Sequence, residues 1–250
     1  MTRYASLDHW EERYKKDPEP FDWFNKYAAL KPFLLSAGLE ESHEILMLGC
    51  GTSTMSESLW DDGFRNITNI DFSSQCINIM QQRCADKPGM TWFAAAAAAA
   101  AATAAAATAA AAAAAASLLV SFAAAVTVLN VLELDQLERR GFDFVIDKGT
   151  LDCILCGEKS FENVNKALTL ISQILKPGGV YMMISYGSPM FRLNHLQRKE
   201  FEWTVDLQTL EKPSLNTPAE VEEKSNVHYI YICKKEQGQE CVWTVCAAAN

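Results

Sequence analysis

Basic residues are in the minority in this chain: 22 lysines and arginines face 31 aspartates and glutamates, for a formal charge of −9 over 250 residues. A sequence-independent grip on nucleic acid depends on neutralising phosphates, so no nucleic-acid partner is expected. The negative surface suits either solubility alone or a basic protein substrate. The eight cysteines lack a framework spacing. No basic start followed by an apolar stretch and a small-residue cleavage site opens the chain, so a reducing, cytoplasmic setting is expected. Cys153 and Cys156 form a C-x-x-C without two further ligands at a supporting distance. They read as two small core thiols, pairing with Cys241 and Cys246 is not supported by spacing, and no metal site is expected.

Side-chain variety is missing from residues 94 to 116, which are alanine except for Thr103 and Thr108, and further alanines occupy 123–125 and 247–249. Natural domains do not read like this. The segment 94–126 reads as an insertion or as alanine standing in for side chains of unknown identity, with the second favoured. A bilayer span would have the length but would interrupt a parallel sheet between its strands, so no membrane partner is expected. Unidentified side chains often accompany large complexes, which keeps a place as a subunit of a large protein assembly among the expectations.

The length leaves little room for a second domain of similar size. One domain is expected over 1–250, with an N-terminal helical cap at 1–40 and a C-terminal tail at 236–250. Residues 6–14 read as a short helix, and Asp22 as the cap of a second helix carrying Trp23, Phe24, Tyr27, Leu30 and Leu34 on a helical period, with Gly38 as its stop. The apolar run 44–48 entering Gly49-Cys50-Gly51-Thr52-Ser53 is what a buried parallel strand and its turn look like. A helix from 54 to 62, a strand at 66–71, a helix capped by Ser73 or Ser74 and a strand starting at 90–93 follow, and 126–130 resumes or replaces that strand. Residues 142–147 are the clearest strand, with a loop at 148–152; a helix marked by Val164, Leu168, Ile171 and Leu175 turns at Pro177-Gly178-Gly179 into a strand at 180–185. Alternation at 203–207 and 228–233 suggests closing strands antiparallel to one another. The expected fold class is α/β: a Rossmann-like, seven-stranded, mostly parallel sheet with helices on both faces and an antiparallel closing strand.

Strand, Gly-x-Gly turn, helix, strand and terminal acid make a nucleotide site, because glycines let backbone approach the ligand while the acid accepts bonds from ribose hydroxyls. Asp71 lies twenty residues beyond Gly51, a suitable interval. A dinucleotide site would want another glycine near Thr54 to seat a pyrophosphate, and there is none. S-adenosylmethionine has no pyrophosphate, so the loop needs room only for a methionyl group and adenosine.

Phe21-Asp22-Trp23-Phe24, Leu48-Gly49-Cys50-Gly51-Thr52-Ser53, Asn69-Ile70-Asp71-Phe72-Ser73 and Asp147-Lys148-Gly149-Thr150-Leu151-Asp152 occur in this order. Together they resemble the class I S-adenosylmethionine-dependent methyltransferases, and within them the methyltransferase-like family that includes the lysine methyltransferases of eukaryotic elongation factor 1A. The resemblance runs from Trp10 to about Lys235 outside the alanine tract. It implies S-adenosyl-L-methionine as cofactor and a protein lysine, on an elongation factor 1A-like partner, as acceptor. Gly49, Cys50 and Gly51 would line the methionyl side, Asp71 would hold the ribose, Phe72 would flank the adenine, and Asp147 and Lys148 would face the transfer centre. Trp23 and Tyr27 would belong to an element folding over the cofactor, or simply to the core. Asn130 stands where the family places an acid against the adenine amino group. It accepts a hydrogen bond without carrying charge. A lysine amine titrates near 10.4, so an acceptor or desolvation must help remove its proton; Asp147 is the candidate acceptor or, equally, a cap for the following turn. A small-molecule methyltransferase and a catalytically silent subunit are the alternatives.

Overall fold

The run Ile45–Leu48 is too apolar to leave either face in water, and it folds as strand β1 with all four residues buried at the centre of the sheet. The computed structural model describes residues 3–94, 129–137, 141–213 and 226–237. Around β1 the chain runs α1 (Leu7–Lys16), α2 (Tyr27–Ser36), α3 (Met55–Asp61), β2 (Ile67–Asp71), α4 (Ser74–Arg83), β3 (Met90–Ala94) and a 3-10 helix (Val131–Gln136). It continues with β4 (Phe142–Lys148), α5 (Thr150–Leu155), α6 (Ser160–Ile174), β5 (Leu175–Ser185), α7 (Pro189–Leu196), β6 (Trp203–Glu211) and β7 (Val227–Lys235). The seven strands lie in the order β3-β2-β1-β4-β5-β7-β6. Strands β1 to β5 pair in parallel, and β7 runs antiparallel to both β5 and β6. This is the expected Rossmann-like sheet, with β7 as its one antiparallel strand.

Strand residues alternate between the two faces, and the core divides accordingly. Ile45, Met47, Ile146, Met182 and Ile230 pack with Leu30, Leu34, Met55, Leu59 and Ile77 of α2 to α4. Leu46, Leu48, Val145, Tyr181 and Tyr231 pack with Val164, Leu168 and Ile171 of α6 and Leu196 of α7. Burying each such aliphatic side chain contributes about 1.5–3 kcal/mol. This alternation also sends Asp147 and Lys148, adjacent in β4, to opposite faces.

Several elements differ from the sequence reading. Helix α2 starts at Tyr27 with Lys26 as its cap residue, so Trp23 and Phe24 lie outside it and Asp22 does not cap it. Phe24 has φ 63°, a left-handed conformation that breaks helical continuity. The expected loop at 148–152 is short, because α5 begins at Thr150. Strand β5 takes in the Pro-Gly-Gly turn, where pairing with β4 shifts register between Phe142 and Phe144. Leu129 and Asn130 lead into the 3-10 helix rather than extending a strand. Residues 126–128, nearly all of the alanine tract, Cys241 and Cys246 lie outside the described residues. Among those described, no helix is long and apolar enough to cross a membrane.

Candidate functional site

From β1 the sheet continues to β2 and β3 on one side and to β4 and β5 on the other, and such a reversal opens a crevice at the carboxyl ends of the strands. A cavity of about 450 Å³ fills it, within the roughly 300–1,000 Å³ of small-molecule sites. Its floor is the Gly49–Gly51 loop, with Asp71 and Phe72 at the end of β2, Asn130 before the 3-10 helix, and Lys148 and Gly149 at the end of β4.

Gly49 and Gly51 both have positive φ, 53° and 54°. A Cβ on Gly49 would collide with the Thr150 hydroxyl, which donates to Leu48 O at 2.8 Å and so ties α5 to the loop. A Cβ on Gly51 would come within 3.1 Å of the Tyr14 hydroxyl. The loop therefore keeps its backbone bare toward the cavity. Gly51 N donates to Asp71 Oδ2 at 3.0 Å and Ser73 N to Oδ1 at 2.9 Å. Burial pushes the Asp71 carboxyl up to about 6, against the lowering effect of those amides. The Cys76 thiol also hydrogen-bonds this carboxylate, so of the roughly four acceptor sites it offers, about one remains for a ligand.

The roof is aromatic. Trp10 and Tyr14 stack at 5.6 Å on α1, Phe21 meets Trp23 edge-on at 5.2 Å, and Arg13 lies 4.8 Å over the Phe21 ring. The roof is latched to the floor by Asp22. Its Oδ1 accepts from Ser53 Oγ and from Lys148 Nζ (3.1 Å), and its Oδ2 from Thr54 Oγ1 (2.8 Å). Lys148 Nζ also donates to Trp23 O at 3.0 Å. Burial alone would raise the Asp22 carboxyl, but Lys148 and the two hydroxyls outweigh it and hold the group below its ordinary value. Burial lowers the Lys148 ammonium, with Asp22 opposing.

The far wall carries a second buried ion pair. Arg192 Nη2 donates to Asp152 Oδ1 at 2.7 Å, Ser185 Oγ donates to the same oxygen at 2.6 Å, and Tyr186 N donates to Oδ2 at 3.2 Å. This network fixes Tyr186 at the cavity mouth, where its ring lies 6.4 Å from that of Phe24. Asn25 Oδ1 meets His228 Nδ1 at 2.6 Å, and the Phe24 ring lies 4.7 Å from the imidazole, which ties the strained turn to β7.

No protein-family model matches the chain. Curated relatives do. EEF1A lysine methyltransferase 4 of Mus musculus is 28% identical over 213 residues, 81% of this chain and 69% of that protein. The eEF1A lysine and N-terminal methyltransferase of Homo sapiens is 27% identical over 188 residues, 73% of this chain but 22% of that much longer protein. Among solved structures, the N-methyltransferase NodS from Bradyrhizobium japonicum WM9, in complex with S-adenosyl-l-homocysteine, superposes with a TM-score of 0.56 at 14% identity, over 94% of this chain and 99% of that one. A TehB-like methyltransferase from Corynebacterium glutamicum gives 0.53 at 15% identity, over 93% and 99%. The chain has the fold of these methyltransferases.

The cavity fits S-adenosylmethionine on its own features: a bare glycine loop, a buried carboxylate at the end of β2, and a volume of the right order. Of the residues singled out in the sequence, Trp23, Gly49, Cys50, Gly51, Asp71, Phe72, Asn130 and Lys148 all line it. Tyr27 does not; it is buried in the core beside α3. Asp147 is also outside the lining, because alternation turns it to the opposite face. There Oδ1 accepts from Thr150 N at 2.7 Å, while Oδ2 accepts from Leu151 N at 3.2 Å and from Tyr181 OH at 2.9 Å. These bonds describe the turn cap, the second of the two roles open to Asp147. Lys148 faces the cavity as a latch already committed to Asp22 and Trp23. Cys153 and Cys156, expected in the core, are half-buried and line the cavity, since the end of the short helix α5 turns them toward it. Cys50, Asp71 and Cys76 bring their ligand atoms within 4.8 Å of one another, the one such grouping among the described residues. Burial, together with the neighbouring thiol and carboxylate, keeps the Cys76 thiol protonated.

The sequence reading missed Arg13 and Tyr14 in the lining, the latch role of Asp22, and the Asp152–Arg192 pair. The four-residue spacing of Trp10 and Tyr14 carried a signal for a buried aromatic face on α1. The ion pairs carried none, since 126 and 40 residues separate their partners.

Proposed function

We propose that this chain is an S-adenosylmethionine-dependent methyltransferase that transfers a methyl group to a lysine side chain of a protein, that elongation factor 1A is the substrate, and that it does so in the cytoplasm. The observation that carries this reading is a cavity at the carboxyl ends of the strands, floored by the glycine loop and Asp71, in a chain whose curated relatives, matched over 81% and 73% of its length, are named for lysine methylation of that factor. The net charge of −9 supports a basic protein partner. A small-molecule acceptor and a silent scaffold find no comparable support.

When bound, the cofactor supplies a methyl group on a positively charged sulfur, activated for in-line displacement. Asp71 would offer its remaining acceptor capacity to the ribose hydroxyls, and the Gly49–Gly51 backbone would make room for the methionyl part. Phe72 and Asn130, which line the cavity, would meet the adenine. Asp22 and Lys148 hold Trp23 and Phe24 over the cavity and exclude water. The incoming lysine must be neutral to attack, and Phe24 and Tyr186 at the mouth favour the neutral amine by stripping its hydration. Asp147 acts as a positioning residue that caps the first turn of α5.

Incubation with radiolabelled cofactor and purified elongation factor 1A, followed by peptide mapping, tests this. Label on a single lysine peptide is expected. Label passing only into metabolites would remove the protein substrate, and a folded protein that binds no cofactor in calorimetry would be a scaffold.

A further inference from the structure

Large apolar side chains left in water cost solubility, and in a monomer they concentrate where something else binds. Among the described residues, the four most exposed of them lie near one another. Met190 is 78% exposed, Phe191 61%, Phe161 59% and Tyr186 55%. Pro189 starts α7 and presets its first turn, while Arg192, one residue beyond Phe191, is buried in the ion pair with Asp152. Met190 and Phe191 are thus presented outward by a helix that is fixed from beneath. Phe161, at the start of α6, packs its ring 5.4 Å from that of His195 on α7 and extends the same face. A groove bounded by Leu155, Met190, Phe191 and His195 runs across it. Tyr186 borders both this groove and the cavity, so the two lie side by side.

We propose that this face, Phe161 with Met190 and Phe191, is the docking surface for the segment of the protein substrate that carries the target lysine. The proposal rests on the protein-lysine reading above. A lysine entering past Tyr186 brings its flanking residues onto this groove, because Tyr186 forms the wall between the two. The composition is that of an interface core: aromatic rings and methionine, with the one buried charge already paired. A second copy of the chain is a poorer occupant. Two chains of charge −9 repel one another, and a copy seated here would cover the mouth through which the substrate must enter.

The test compares the full chain with a Met190→Ser, Phe191→Ser double variant. Both side chains are solvent-facing, so the fold and the cofactor site are expected to survive, as melting and calorimetry with S-adenosylmethionine will show. With purified elongation factor 1A as substrate, KM is expected to rise about tenfold or more while kcat and cofactor affinity stay within about twofold. An unchanged KM overturns the proposal and leaves the lysine reading intact. So does a wild-type dimer in sedimentation that dissociates in the variant with KM untouched. If the wild type binds cofactor yet labels no protein, the lysine reading itself has failed, and the docking proposal falls with it.

Discussion

Asp71 is held in a site that penalises its charge. It is 4% exposed, its carboxyl is pushed up to about 6, and two backbone amides already point at it. A ligand that donates hydroxyl protons to the remaining acceptor capacity stabilises the charged form, so part of the binding energy comes from relieving that penalty. Asp71→Asn removes the charge while keeping the shape. Because both carboxylate oxygens accept from backbone amides, the new NH2 group faces an N–H donor, and the melting temperature is expected to fall slightly. Cofactor affinity should fall roughly 10- to 100-fold, since hydrogen bonds to a charged acceptor are worth about 1.5–3 kcal/mol. Titration calorimetry beside a thermal melt reads both, and equal affinity in the variant would remove Asp71 from the ribose site.

The N-terminal cap is an element with little sheet to hold it. Its attachment to the floor runs through Asp22, which gathers Ser53, Thr54 and Lys148, together with the backbone bond from Phe21 N to Thr52 O at 3.2 Å. From outside, Arg83 donates to Thr52 O and Ser53 O and pairs with Glu57, which stiffens the same loop. Asp22→Ala leaves the Lys148 ammonium buried without its carboxylate, and one-sided loss of a buried pair costs about 3–5 kcal/mol. Urea unfolding should show that loss, and hydrogen exchange should rise over α1. The double variant Asp22→Asn, Lys148→Met keeps an acceptor for the two hydroxyls and removes both charges. It is expected to recover most of the stability; a double variant as weak as Asp22→Ala would mean that the latch acts through something other than the ion pair.

Across the whole molecule, the sheet separates two populations of carboxyl groups, with Asp71 on the cavity side and Asp147 packed against Tyr181 on the other face. Burial pushes Asp147 up to about 7, with Asp152 adding to it and the Tyr181 and backbone bonds opposing. The sign of the linkage follows. A carboxyl whose folded value lies above its ordinary 3.8 binds its proton more tightly in the folded state. As pH rises, the unfolded chain releases that proton first, so stability declines from about pH 4 to about pH 7 and then levels. Wild-type melting temperature is therefore expected to fall between about pH 5 and pH 7, and Asp147→Asn should flatten much of that slope. Identical slopes in the two proteins would show that Asp147 is charged in the folded state throughout this range.

Periodicity and turn chemistry by themselves determined the succession of strands and helices in the parallel core, the Gly-x-Gly bend, the acid ending β2 and the helix start at Ser73 or Ser74, because each depends on residues within a few positions of one another. The same local reading separated this cofactor from a dinucleotide through the missing third glycine. Only the tertiary structure decided what Asp22, Asp147 and Tyr27 do. Asp22 looks like a helix cap until Lys148 arrives from 126 residues away, and Asp147 shares a strand end with Lys148 but not a face. Cys153 and Cys156 turn toward the cavity because α5 is too short to bury them. A side chain's partners across the fold depend on which strands become neighbours, and that is settled by the packing of both sheet faces at once rather than by the pattern of any one segment.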